Sequence, residues 1–187
     1  MAEKIVARGK MFELVHNEQP DGRVFEVARR APGVRLIIED TMNRILLTKE
    51  YRHELEDWDY RLPGGKVFDS LEEYDEFRMS GSDILVPAKE KAIAEGREEA
   101  GLQIDTLKFY KKSTLGATVE WDLFVFAITK WHALEGGQEL EVGERIEADG
   151  WFTHEQVENM ILAGEMHEER IALVLLQWMK TAIGAKQ

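Results

Sequence analysis

Glu95-Gly96-Arg97-Glu98-Glu99-Ala100-Gly101-Leu102 closes a segment, Val86–Ala100, whose pattern predicts a helix. Pro87 suits its first turn, where a missing N–H costs nothing, and Gly101 stands where a left-handed C-cap residue is wanted. The spacing i, i+3, i+4 puts Glu95, Glu98 and Glu99 on one face. Three like charges so close repel, and a helix gains no stability from them. A divalent cation reverses the sign and favours all three ionised. Oxygen-only ligation suits Mg²⁺ or Mn²⁺, which bridge to substrate phosphates. The same stripe also fits a solvated acidic face that binds nothing.

Before that helix, Glu50–Gly65 reads as irregular and ends in Leu62-Pro63-Gly64-Gly65. Leu71–Met79 is polar and helical, a surface helix or a lid, and Ser80–Asp83 breaks it. Residues 4–15 and 23–30 read as two strands around the turn Gln19-Pro20-Asp21-Gly22. Val34–Glu39 and Arg44–Thr48 are apolar strand runs. Strands are also expected at Thr106–Lys112 and Glu120–Thr129, with a Gly- and Glu-rich loop over Leu134–Asp149. After Trp151-Phe152, Thr153 is an N-cap for His154–Ala163, and Arg170–Thr181 is a last helix with a broad apolar face. Strands, helix, strands, helix is an α+β order.

Composition limits the function classes. At 187 residues the chain suits one domain with a small appendage. A net charge of −12 argues against a general nucleic-acid binder, which needs cations to displace phosphate counterions. There is no cysteine, so disulfides, thiolate catalysis and Cys-ligated zinc are excluded. No apolar run is long enough for a membrane span and no signal-peptide core is visible, so the expectation is a cytoplasmic protein without a membrane partner. The five histidines show no metal spacing and read as surface residues.

The glycines and the striped helix together resemble the Nudix box, G-x(5)-E-x(7)-R-E-U-x-E-E-x-G-U, where U is a bulky apolar residue. Gly65 supplies the opening glycine, and Glu95, Glu98, Glu99, Gly101 and Leu102 match the downstream half. Asp149-Gly150-Trp151-Phe152-Thr153 is similar to the family's strand-to-helix step. The resemblance covers about Val34 to Met179. It departs at Ala94 and Val86, where the family has a structural Arg and Glu, and at Gly96, which takes the apolar position. An insertion of about Phe68–Leu85 also separates the glycines from the helix. The resemblance implies a Nudix-type α/β/α sandwich with a mixed sheet, an N-terminal β extension over residues 1–33 and a hydrolase domain over residues 34–187.

Within that family, Val27–Val34, Lys49-Glu50-Tyr51-Arg52, Trp58–Gly65 and Gly164-Glu165-Met166 look like the ADP-ribose pyrophosphatase branch. Arg61 departs from the branch's usual glutamate. The branch implies a Mg²⁺-dependent (or Mn²⁺-dependent) pyrophosphohydrolase of a nucleoside diphosphate linked to X. ADP-ribose, cleaved to AMP and ribose 5-phosphate, is the first expectation and a nucleotide sugar the second. A nucleotide-binding module without turnover is a further alternative. By the same resemblance the metal is held by Glu95, Glu98, Glu99 and the Gly64 carbonyl. Arg52 contacts the pyrophosphate, Arg29 and Arg30 are candidates for phosphate or terminal ribose, and Glu120 lies near the substrate. Glu144, with Glu141 second, is the expected general base beside the catalytic Glu98, both in the mobile Gly-rich loop. Trp58, Trp121 and Phe25 are candidates to stack on a base, or else pack in the core. A homodimer is implied, with the N-terminal strands crossing between protomers.

Overall fold

A period-two alternation in the central strands divides the core into two layers. The computed structural model describes residues 2–140 and 145–184. Their elements are β1 (Ala2–Arg8), β2 (Glu13–Glu18), β3 (Val24–Arg29), β4 (Gly33–Ile38), β5 (Arg44–Arg52), β6 (Asp57–Arg61), α1 (Leu71–Ser80), α2 (Leu85–Glu98), β7 (Leu102–Ser113), β8 (Val119–Glu120), β9 (Leu123–Ala133), β10 (Ile146–Thr153), α3 (His154–Ala163) and α4 (Glu169–Gly184). Three sheets form, in the orders β1-β2-β3-β8, β10-β5-β6 and β4-β9-β7. β4 runs parallel to β9 and β7 antiparallel to it, so that sheet is mixed.

Successive side chains on a strand point to opposite faces. Val34, Leu36 and Ile38 of β4, with Phe124, Phe126 and Ile128 of β9, therefore pack beside Ala88 and Ala92 of α2. Ile37, Leu123 and Val125 face the other way, into a layer with Val157 and Met160 of α3 and Ile171, Val174 and Leu175 of α4. The result is the expected α/β/α sandwich. β4 is buried at every residue because both of its faces are covered.

Several expectations are corrected. Residues 4–15 are not one strand: the chain reverses at Gly9, whose N–H donates to the Phe12 carbonyl at 2.7 Å, and β1 pairs back on β2. Gly9-Lys10 is the turn signal, masked by the apolar residues on either side. Glu50–Gly65 is only partly irregular. β5 runs on to Arg52, and β6 pairs with it antiparallel from Asp57 to Arg61. Charged residues hid that strand, because Asp59 is inward-facing and 2% exposed. The strand expected over Glu120–Thr129 splits into β8 and β9 around Trp121-Asp122. Thr153 does cap α3, in a reciprocal capping box with Gln156.

The N-terminal sheet is tied to the body at two places. β8 pairs in parallel with the end of β3, at Ala28–Val119 and Arg29–Glu120. Helix α1, inside the insertion, leans on β1 through ion pairs of Arg8 with Asp75 and of Arg78 with Glu3. Beneath them the Arg29 guanidinium is buried among Glu3, Glu13 and Glu120.

Gly96 has a packing reason. A Cβ there would stand 2.6 Å from Cγ1 of Ile104, a buried residue of β7. Helix propensity alone favours alanine by about 1 kcal/mol, while overpacking a buried contact costs about 1–3 kcal/mol. Gly96→Ala is therefore expected to lower the urea midpoint. A raised midpoint would mean that propensity wins and that α2 does not press on β7 at this point.

Candidate active site

Helix α2 ends against the Leu62–Lys66 loop. That loop runs along β4, with Val34 N–H donating to the Gly65 carbonyl and Leu36 N–H to the Pro63 carbonyl, both at 2.9 Å. Gly64 has φ 149°, and a Cβ there would meet the Val34 carbonyl at 2.1 Å, so the loop lies this close only with glycine. Its N–H donates to Glu99 Oε2 at 2.7 Å. At Gly65 a Cβ would come within 1.9 Å of Glu95 Oε1. The two glycines thus form a cradle for the two carboxylates.

The cradle opens onto a cavity of about 280 Å³. Glu95 and Glu99 line it together with Lys91, Glu50 and the arginines Arg30, Arg35, Arg52 and Arg61. Two of these arginines share Glu168 at the start of α4: Arg35 Nε donates to its Oε2 at 2.8 Å and Arg61 Nη2 at 3.1 Å. Arg61 also donates to Glu50 at 2.9 Å, and Arg52 pairs with Glu50 and Glu54. Arg30 makes no ion pair among the described residues. Its guanidinium carbon lies 4.2 Å from the Trp121 ring centroid and 5.2 Å from that of Phe12.

Burial, and then the nearby charge of Glu95, pushes the Glu99 carboxyl up to about 8, against the opposing Gly64 N–H and Arg35. Burial alone would raise Glu168 too, but Arg35 and Arg61 hold it below its ordinary value. For Arg30, burial followed by the charge of Arg35 lowers the pKa. The cavity accordingly gathers two carboxylates that repel each other, one of them paired with Lys91, and four arginines, of which Arg35, Arg52 and Arg61 are already ion-paired.

The structure brings only some of the expected residues here. Gly64, Glu95, Glu99, Arg30 and Arg52 line the cavity. Glu98 does not line it; Lys91 Nζ holds its carboxylate at 3.1 Å. Arg29 is 2% exposed and spends its guanidinium on Glu3, Glu13 and Glu120, so Glu120 meets Arg29 and not the cavity. Trp58 packs edge-on to Tyr51, with Lys49 Nζ 5.5 Å over its ring, away from the cavity wall. Phe25 is half exposed on β3, and Trp121 lines the cavity beneath Arg30. Glu141 and Glu144 lie outside the described residues.

Arg35, Glu50, Lys91 and Glu168 also line or brace the cavity without standing out in the sequence, and Arg61 stands out there only as a departure from the family pattern. Arg35 carried a usable signal, since a lone charge inside the apolar run Val34–Ile38 must find a partner when buried. Glu168 carried none, because its role depends on α4 returning to β4.

The donor set suits a hard divalent cation, with oxygens only and a glycine cradle that leaves room for two carboxylates that repel each other. Among the described residues, however, no three acidic or histidine side chains gather closely enough to hold an ion. Glu95 and Glu99 fit such a group, while Glu98 would have to leave Lys91 to join them.

A solved structure described as an ADP compounds hydrolase is similar over 97% of this chain and 94% of that one, at a TM-score of 0.67 and 21% identity. The fold is of the Nudix type. No family model matches the sequence, and no curated protein does either. Among the described residues no helix is long and apolar enough to cross a membrane.

Glu99 gives a pH prediction. Its folded pKa of about 8 lies above the ordinary 4.5, so the folded state binds the extra proton and stability falls as pH rises from 4.5 to 8. Glu99→Gln removes that loss. In a metal chelator the variant should match wild type near pH 4.5 and exceed it by at least about 1 kcal/mol at pH 8. Parallel stability–pH curves for the two proteins would show that Glu99 does not titrate this way.

Proposed function

We propose that the protein is a divalent-metal-dependent pyrophosphohydrolase acting on a nucleoside diphosphate linked to X, with ADP-ribose as substrate and AMP and ribose 5-phosphate as products. The observation that carries this reading is the mixed lining of the cavity, where the buried Glu95–Glu99 pair and Arg30, Arg35, Arg52 and Arg61 border the same space of about 280 Å³. A diphosphate with its cation matches both signs of charge at once. The similarity to an ADP compounds hydrolase supports the same substrate class.

Glu95 and Glu99, with Glu98 and the Gly64 carbonyl, are the residues that would hold Mg²⁺ or Mn²⁺. The bound ion supplies charge neutralisation and an acidified water. The chain's own part is orientation. Arg30 and Arg52, which line the same cavity, neutralise the diphosphate, and guanidinium forks suit phosphate oxygens. Arg35 and Arg61 are fixed by Glu168, so their positions are set before substrate arrives. The proton of the attacking water goes to a carboxylate, for which Glu144 is proposed first and Glu141 second.

ADP-ribose incubated with the protein and Mg²⁺ should yield AMP and ribose 5-phosphate by chromatography, with nucleotide sugars run in parallel. Glu98→Gln should lower kcat by about a hundredfold or more while leaving circular dichroism unchanged. Absence of any nucleoside monophosphate from the whole panel would end the hydrolase reading, and wild-type rates in Glu98→Gln would end the metal-site assignment.

The proposal includes a homodimer formed through the N-terminal sheet, which leaves Ile5, Val6, Phe12, Val24 and Phe25 exposed. Light scattering should give about twice the chain mass of 21.5 kDa. A single-chain mass at micromolar concentration would remove the dimer.

A further inference from the structure

The ammonium of Lys91 stands where the carboxylates of α2 would otherwise face each other. Nζ lies 2.9 Å from Glu95 Oε1 and 3.1 Å from Glu98 Oε2, and the side chain lines the cavity. Helix stabilisation explains this poorly. A lysine four residues before a glutamate has the weaker orientation for such a pair, because the charges oppose the helix dipole. Glu95 is also 7% exposed, so the contact lies against the cavity wall and away from open solvent. A third candidate ligand is engaged in the same way, since Arg35 Nη1 donates to the Gly64 carbonyl at 2.9 Å. Three of the four donors are therefore already held by the chain's own cations.

We infer that Lys91 is a resident counter-ion of the acidic corner, and that a divalent cation and a diphosphate consequently enter it together. This rests on the metal reading above. A cation arriving alone must take oxygens from Lys91 and leave an ammonium without its partners in a half-buried place. A diphosphate arriving with the cation gives Lys91 and Arg35 new anions on the same cavity face, so each ligand favours the other's binding. Coupling of this kind is reciprocal, and typical values run from about 5- to 150-fold. Lys91 thus lowers the affinity for free metal without blocking the metal–diphosphate complex. It is a positioning residue whose effect reads in binding order.

The test measures Mn²⁺ binding to the full chain, from the electron paramagnetic resonance signal of free Mn²⁺, with and without a methylene-bridged ADP analogue that cannot be hydrolysed. Lys91→Met and Lys91→Gln should bind Mn²⁺ alone on the order of tenfold tighter than wild type. The analogue should then improve Mn²⁺ binding less in these variants than in wild type. Lys91→Arg keeps the cation and should stay near wild type. Thermal melting confirms that each variant is folded, and the glutamine form, which keeps a polar head, serves if the methionine form does not fold. Affinities for Mn²⁺ alone that are no tighter in either neutral variant overturn the inference, and so does Lys91→Arg binding as tightly as Lys91→Gln. Those results leave the metal site standing if Glu99→Gln still abolishes Mn²⁺ binding. No Mn²⁺ binding to any form, analogue present or absent, overturns both the inference and the metal reading.

Discussion

The close approach of the Gly64–Gly65 loop to the end of α2 is the constraint on which the other features of the site depend. It requires α2 to lie low on the sheet, which its small inward residues Ala88, Ala92 and Gly96 allow. It also requires the loop to follow β4, which the backbone bonds from Val34 and Leu36 enforce. Either glycine replaced by a residue with a Cβ would push the loop off the strand or the carboxylates out of the corner. Packing density and electrostatics are therefore set by the same contact, and a change of a few tenths of an ångström would be felt in both.

Charge in the corner is balanced by parts remote in sequence. Glu168 precedes α4, yet it holds Arg35 of β4 and Arg61 of β6, so the position of α4 fixes both arginines. Because these groups are largely buried, removing any one would leave a charge without its counterpart, which costs more than the pair contributes. Ion-paired arginines and a crowded carboxylate pair thus border one small cavity.

The N-terminal sheet is a second unit of buried charge. Arg29 lies among Glu3, Glu13 and Glu120, and α1 of the insertion reaches the same sheet through Arg8 and Arg78. Arg30 follows directly and turns into the cavity. The two adjacent arginines therefore have opposite fates: one organises the sheet and the next meets the site. A strand's alternation produces that split, and the residue types cannot reveal it.

What the sequence determined by itself was whatever local spacing controls. The i, i+3, i+4 carboxylates, the capped helices over 86–100 and 154–163, and the apolar runs of β4 and β5 were legible, because helix and strand periods act over a few residues. The Gly64-Gly65 and Glu95–Leu102 pieces were legible as a resemblance that the solved structure's fold supports. The tertiary structure alone decided which charges meet. It buried Arg29, joined Glu120 to it, turned Glu98 toward Lys91, and brought Glu168 across more than a hundred residues to Arg35 and Arg61. A charged side chain in isolation is stable in water in almost any place. Its partner is selected only when burial removes the water, and burial belongs to the whole fold.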